Sequence, residues 1–351
     1  MARTVLITGG SGYFGSILAD GALARGDDVR IFDLNPPEPP GEGAGVGAAD
    51  RVEYVAGDVR DLDGLRAACD GVDVVLNNVA QVPLAKDREL FWSVNVTGTA
   101  NVLLAARERG VSKVVHTSSS AIFGIPERNP VVEDTPGRPL EAYGKAKLEA
   151  EHLCHDAAAT GLDVTIVRPR TILGHGRLGI IAVLFEFVAE GAPLYVLGKG
   201  DNRYQFVHAN DLADAVLLAS LREKPTTYNI GATEFGTMRE TLQAVADHAG
   251  TGSQVRSLPV APAKVGMKGL SLVGLAPFAS YHWLLYAESL WFDTTKAQTE
   301  LGWQPRHSNA SALIESYDWF VAHRDALEGE HRSHHQSPVR LGLLKVLKRL
   351  P

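Results

Sequence analysis

Sulfur is scarce in this chain: its 351 residues include two cysteines, Cys69 and Cys154, and three methionines. The two cysteines lie far apart and outside any CxxC spacing. That excludes a disulfide framework and a cysteine-based zinc site, and it fits a reducing compartment. Basic charge is also in deficit, with 34 Lys and Arg against 41 Asp and Glu and a formal net charge of -7. No polycationic footprint exists, so nucleic acid is set aside as a partner. Long apolar runs are missing too. "LGIIAVLFEFVAEG" is broken by Glu186, and "VGMKGLSLVGLAPFASYHWLL" by Lys268, Pro277 and His282, so neither reads as a membrane span. The start, one Arg followed by "TVLITGG", lacks the charged, apolar and small-residue succession of a signal peptide. These absences predict a cytoplasmic protein. What is present, 45% hydrophobic and 21% charged residues, fits a globular chain with a substantial core.

The hydrophobic pattern alternates between the two periods of regular structure. "TVLITG", "DVRIFD", "VEYVAGD", "VDVVLNNVA", "KVVHTSS" and "LDVTIVRP" read as strands. Helical stretches lie between them at about 14–25, over "LDGLRAACDG", at about 90–109, and across "AYGKAKLEAEHLCHDAAATG". Strand, helix, strand at this spacing predicts βαβ units, hence an α/β, doubly wound parallel sheet covered on both faces. The Pro- and Gly-rich "NPPEPPGEGAGVGAAD" reads as a surface loop. After Pro169 the alternation loosens into helices near 180–190, at "NDLADAVLLASL", at "TMRETLQAVADHAG" and at "ALIESYDWFVAHRDAL". The expected organisation is a nucleotide-binding domain over 1–168, a smaller, mostly helical substrate lobe over 169–326 with segments returning to the first domain, and a polar, basic tail over 327–351.

In "ITGGSGYFGS" the glycines Gly9, Gly12 and Gly15 follow a strand and open a helix. In that context Gly9 permits the tight turn, Gly12 lets the backbone approach a pyrophosphate, and Gly15 lets the helix lie close to the sheet. The helix N-terminus adds free N–H groups and a partial positive charge. Asp33 ends the second strand, where a carboxylate accepts hydrogen bonds from an adenosine ribose. No Arg or Lys stands in "FDLNPPEPP" to meet a 2′-phosphate, so NAD is expected over NADP and the sheet is of Rossmann type.

Further motifs follow in order: "GDV" at 57–59, "NNVA" at 77–80, "NVTGTANVL" at 95–103, "TSSSAIFG" at 117–124, "YGKAK" at 143–147, then "VRPRTILG", "FVHANDLA", "YNIG" and "FDTTKAQTELGWQP". Together they resemble the extended short-chain dehydrogenase/reductase family, which includes NAD-dependent sugar-nucleotide epimerases and dehydratases and 3β-hydroxysteroid dehydrogenase-like enzymes. Tyr143 and Lys147 are four apart, on one helical face. The ammonium is therefore expected beside the phenol, lowering its pKa from about 10 toward working pH. The resemblance implies Tyr143 as proton shuttle, Lys147 also on the nicotinamide ribose, and Ser119, five before Gly124, on the substrate oxygen, with Ser118 and Ser120 as alternatives. It further implies Asp58 and Val59 at the adenine, Val79 and Ala80 along the cofactor groove, and Tyr13, Phe14 and Pro169 among the cofactor contacts. Asn95 backs the site, with a helix cap as its other reading. The implied chemistry is hydride transfer at a secondary alcohol or ketone carbon.

The substrate is less legible. Sugar-nucleotide members of the family carry anchors in "RYFN", "RDF" and "RxGD" strings. Here those places read Arg168-Pro169-Arg170-Thr171, Tyr204-Gln205-Phe206, and "LLYAESLWFD". Ser120, Arg170, Thr171 and Arg203 are the substrate candidates, and Arg177 and Lys199 are further cations for a diphosphate. The apolar, aromatic stretch over 258–293 resembles the 3β-hydroxysteroid branch. The favoured reading is a sugar-nucleotide epimerase or dehydratase. The alternatives are a net dehydrogenase of a bulky apolar alcohol and, more remotely, an inactive dinucleotide sensor. His208 reads as a structural residue bonded to backbone. The tail histidines His331, His334 and His335 are not read as a metal site. "LGLLKVLKRL" reads as a frayed tail or subunit contact, with membrane-surface contact as the other option. The resemblance implies a homodimer through a contact that includes the Tyr143 helix.

Overall fold

The computed structural model describes residues 2–39, 47–81, 88–177, 181–263, 265 and 287–327. The tail with its histidines, and most of the apolar stretch over 258–293, lie outside the described residues. Seven parallel strands form one sheet: β1 (Thr4–Thr8), β2 (Asp28–Asp33), β3 (Val52–Ala56), β4 (Val74–Asn77), β5 (Lys113–Thr117), β6 (Val164–Pro169) and β10 (Thr226–Ile230), in the order β10-β6-β5-β4-β1-β2-β3. Strands β4, β5 and β6 are buried at every position, as unbroken β-branched runs should be in a sheet covered on both faces. Helices α1 (Tyr13–Ala24) and α7 (Ala209–Ala219) pack on one face around Leu18, Leu23, Leu212 and Val216. Helices α2 (Leu62–Ala68), α4 (Gly98–Glu108) and α5 (Ala142–Ala159) cover the other, around Leu65, Val102 and Cys154.

The chain leaves β1 toward β2 on one side and later resumes from β4 toward β5 on the other. The carboxyl ends of β1 and β4 therefore diverge into a crevice, where doubly wound folds bind their ligands. The helix expected at about 90–109 is interrupted. Helix α3 (Arg88–Trp92) passes through a π-helical turn, Ser93–Thr97, before α4 begins. Such π-helical turns are rare and occur frequently at functional sites.

The second half is mostly helical, with α6 (Ile181–Ala189), α8 (Met238–Ala249), α9 (Thr295–Leu301) and α10 (Asn309–Leu327). It also holds two small parallel sheets that periodicity does not reveal, β7 (Thr171–Leu173) with β9 (Phe206–His208) and β8 (Leu194–Leu197) with β11 (Val255–Leu258). Three- and four-residue strands are too short to display a period of two. Phe185, Tyr317 and Phe320 centre a separate core there. No helix among the described residues is long and apolar enough to cross a membrane.

Candidate active site

The first glycine turn separates what the fold needs from what a ligand needs. Gly9 has φ +71°, donates its N–H to the Phe32 carbonyl at 2.9 Å, and would place a Cβ 2.9 Å from Val79 Cα. A Cβ on Gly15 would lie 2.1 Å from the Gly9 carbonyl oxygen. Packing alone therefore requires both glycines. Gly12 differs: its φ of -79° suits any residue, and an added Cβ would meet only the Gly9 oxygen, at 3.3 Å. It caps α1 with no side-chain hydrogen bond, so the first N–H groups of the helix stay available beside a backbone that a ligand can approach. These features fit a pyrophosphate. Asp33 stands next to this turn, its two carboxylate oxygens accepting the Ser11 N–H at 3.2 Å and the Asn35 N–H at 3.1 Å. Both bonds fix its orientation and leave lone pairs for ribose hydroxyls.

A buried polar chain ties the strand ends together. The Asn78 and Val79 N–H groups donate to Thr8 Oγ1, Thr8 donates to Asn77 Oδ1 at 2.9 Å, and Asn77 Nδ2 donates to His116 Nδ1 at 3.0 Å. His116 is therefore neutral with its proton on Nε2, and burial, then the Lys147 charge, holds its pKa well below the usual value. Asn95 sits within the π-helical turn, where it accepts the Gln81 N–H at 3.0 Å and donates to the Gln81 carbonyl at 3.1 Å. It clamps the segment after Val79 and Ala80 and is not a helix cap. Asp58 is held by Arg60, which lowers its pKa. Val59 is buried against Gly98, and Phe14 is buried in α1.

Helix α5 begins where Glu141 accepts the Tyr143 and Gly144 N–H groups, at 2.8 and 2.7 Å. The four-residue spacing then places Tyr143, Lys147 and Glu151 on one stripe facing the end of β5. Ser119, just past β5, accepts the Ala121 N–H at 3.2 Å, and its hydroxyl faces the Tyr143 phenol, where it favours the ionised form. Ser118 points away, bonding Glu151, whose carboxylate is also held by Arg168. Of the three serines, Ser119 is the one that meets the phenol.

The electrostatics differ from the expectation. Lys147 is 1% exposed and donates from Nζ to the Thr117 carbonyl at 2.6 Å. In the ligand-free protein burial raises the phenol's pKa, the Ser119 hydroxyl opposes this, Glu141 adds to it, and Arg177 opposes it. The shared stripe is real, but the lysine stem reaches into β5 while the phenol turns to Ser119. Arg177, which the sequence offered only for a diphosphate, supplies the nearby positive charge; its guanidinium lies 5.5 Å from the Tyr13 ring centroid.

Burial lowers the Lys147 pKa from 10.5 to about 8. Between those values the unfolded chain binds the extra proton, so this group makes stability rise with pH across the window and contributes no slope below it. Urea unfolding of the ligand-free wild type and Lys147→Met should show the variant losing relative stability from pH 7.5 to 10.5, on the order of 2 kcal/mol. An equal difference at both pH values would contradict the buried, desolvated ammonium.

On the substrate side, Ser120 accepts a hydrogen bond from Arg170 at 2.8 Å, and the Thr171 and Tyr204 hydroxyls are 2.9 Å apart. Exposed Arg203 lies over the Phe235 and Trp291 rings, at 4.7 and 4.9 Å. Lys199 is exposed on the turn after β8 and joins none of these contacts. Pro169 closes β6 between the two arginines.

His208, His307 and Glu315 bring three ligand-type atoms within 4.8 Å of one another. His208 Nδ1 accepts the Asn210 N–H at 3.3 Å, capping α7. Its Nε2 therefore carries the proton and has no lone pair for a metal. The group reads as a hydrogen-bonded cluster, with His307 bridging Asp211 and Glu315 at 2.9 and 3.0 Å.

A doubly wound sheet with a ligand-ready glycine turn at its switch point defines a dinucleotide-binding α/β protein. The chain belongs to the NAD dependent epimerase/dehydratase family, whose model matches residues 5–231. It is 48% identical to the uncharacterized protein y4nG of Sinorhizobium fredii, over 99% of this chain and 86% of that one. Two relatives are each 28% identical: a UDP-glucose 4-epimerase of Streptomyces lividans, covering 92% and 98% of the two chains, and a 3 beta-hydroxysteroid dehydrogenase/Delta 5-->4-isomerase of Mycobacterium tuberculosis, covering 94% and 93%. The structure of MoeE5 in complex with UDP-glucose and NAD superposes with a TM-score of 0.71 at 25% identity, over 91% of this chain and 99% of that one. The protein is thus an NAD-dependent enzyme of the extended short-chain dehydrogenase/reductase type.

Proposed function

We propose that this enzyme oxidises and re-reduces one secondary carbinol of a sugar nucleotide, inverting that carbon as an epimerase. The observation that carries the reading is the Ser119–Tyr143 hydroxyl pair at the end of β5, beside buried Lys147 and at the same edge of the sheet as the Gly12 turn. Ser119 holds the substrate oxygen, and Tyr143 takes and returns its proton. Lys147 and Asp33 hold the two riboses of NAD, and the α1 N-terminus holds its pyrophosphate. When bound, NAD supplies the hydride acceptor and donor.

Epimerisation is favoured over loss of water. Dehydration needs a further acid and base for a neighbouring carbon, and the residues after Ser119 are Ser120 and Ala121. The mycobacterial relative is the main support for an apolar substrate. Against it stands the buried cation of Arg170 on the substrate side, whose Nε and Nη2 an apolar ligand would leave without a partner. A cytoplasmic homodimer belongs to the same reading, and two buried free cysteines fit it.

Purified protein tests this directly. Denaturation is expected to release NAD, and UDP-glucose or its uronic acid to be interconverted with its epimer without added NAD. Failure of both sugar nucleotides to turn over, with stoichiometric NADH formed from an apolar alcohol, would replace this reading by the net dehydrogenase.

A further inference from the structure

Two arginines stand at the end of β6 with Pro169 between them, and among the described residues only Arg168 has a counter-ion. Arg168 turns its Nε and Nη2 edge onto the Glu151 carboxylate, at 3.0 and 2.7 Å. Arg170 is 1% exposed and donates from Nη1 to Ser120 Oγ, while its Nε and Nη2 have no hydrogen-bond partner among the described residues. The rings of Tyr204 and Phe292 stand 4.6 and 5.6 Å from its guanidinium carbon. A guanidinium cannot shed its proton to relieve burial. Leaving it without an anion in a low-dielectric interior is therefore unfavourable. The two rings and Ser120 hold it in place, and the edge left over is the fork that Arg168 uses on a carboxylate.

We infer that Arg170 is the receptor for an oxyanion of the substrate, a carboxylate or phosphoryl group bound side-on by Nε and Nη2. The inference rests on the proposed sugar-nucleotide reading and adds a specificity element to it. Ser120 directly follows Ser119 in the turn after β5, which ties the Arg170 guanidinium to the segment that carries the reacting hydroxyl pair. Thr171, bonded to Tyr204, flanks it. The two sources of such an oxyanion are a carboxylate on the sugar and the diphosphate of the nucleotide.

The test is calorimetric titration of the NAD-loaded protein with UDP, UDP-glucose and UDP-glucuronic acid, in wild type, Arg170→Met and Arg170→Lys. A sugar carboxylate is indicated if Arg170→Met weakens UDP-glucuronic acid alone, by roughly 30-fold or more. A diphosphate is indicated if all three weaken alike. In either case Arg170→Lys recovers part of the loss, as a point charge without the fork. It also carries the test if the methionine variant does not fold. Free glucuronate and inorganic phosphate, followed by melting temperature, separate the two readings. If neither UDP compound binds the wild type but one of these anions stabilises it and not Arg170→Met, the sugar-nucleotide reading fails and the oxyanion site stands. Binding of every probe within about threefold of wild type in Arg170→Met, with only a lowered melting temperature, would overturn the inference and leave Arg170 a packing residue.

Discussion

Replacing Tyr143 by phenylalanine is expected to lower kcat by about 10²- to 10⁴-fold, the range attributable to one positioned acid–base group, while NAD affinity stays near wild type. The phenol is the group that Ser119 meets, and the substitution removes only its oxygen. Helix α5 keeps its Glu141 cap, and Lys147 keeps its bond to the Thr117 carbonyl. Steady-state kinetics with a parallel NAD titration checks this. Because burial raises the phenol's pKa in the ligand-free protein, Tyr143 must first lose its own proton to solvent before it can take one from the carbinol, and Ser119, Arg177 and the positive charge that arrives with oxidised cofactor favour that loss. A rise in KM with unchanged kcat would assign Tyr143 to binding instead.

The second large effect is a contrast between two glycines of one turn. Gly15→Ala is expected to destabilise the ligand-free protein by about 1–3 kcal/mol or more, because its Cβ would sit 2.1 Å from the Gly9 carbonyl oxygen, inside the helix–sheet contact. Gly12→Ala meets nothing closer than 3.3 Å and has an ordinary φ of -79°. Its ligand-free stability should stay within about 1 kcal/mol of wild type, the lost unfolded-chain entropy offsetting a tight contact and a poorer N-cap. Yet its NAD affinity should fall by roughly tenfold or more, since the methyl enters the space that brings a phosphate to the backbone. Thermal unfolding with and without NAD separates the two. Equal loss of ligand-free stability in both variants would mean that Gly12 serves the fold and not the cofactor.

These contrasts also mark what a sequence can and cannot disclose. The strands β1 to β6 were legible because burial on both faces writes itself as β-branched runs, and the glycine turn because three spacings served one geometry. Tyr143 and Lys147 were legible as a pair on one face. Their mutual electrostatics were not, since the destination of a lysine stem, here the Thr117 carbonyl, is set by which strand the helix packs on. Arg170 is a substrate candidate by its place in the motif, but its burial beside Tyr204 and Phe292 depends on segments 34 and 122 positions downstream. Asn95 was placed near the site from its motif. Its hold on Gln81 needed the π-helical turn, which no local pattern announces. The chain from Thr8 through Asn77 to His116 was missed because each member alone looks like a strand residue.

The most direct test of the account follows an isotope through one conversion. A sugar nucleotide carrying deuterium on the carbinol carbon is converted in ordinary water, and the label in the epimer is read by mass spectrometry. The account predicts that deuterium stays on the inverted carbon in the wild-type product and that no labelled epimer forms with Tyr143→Phe. Epimer that has exchanged its label for solvent hydrogen, or that forms at the wild-type rate without the phenol, would contradict it.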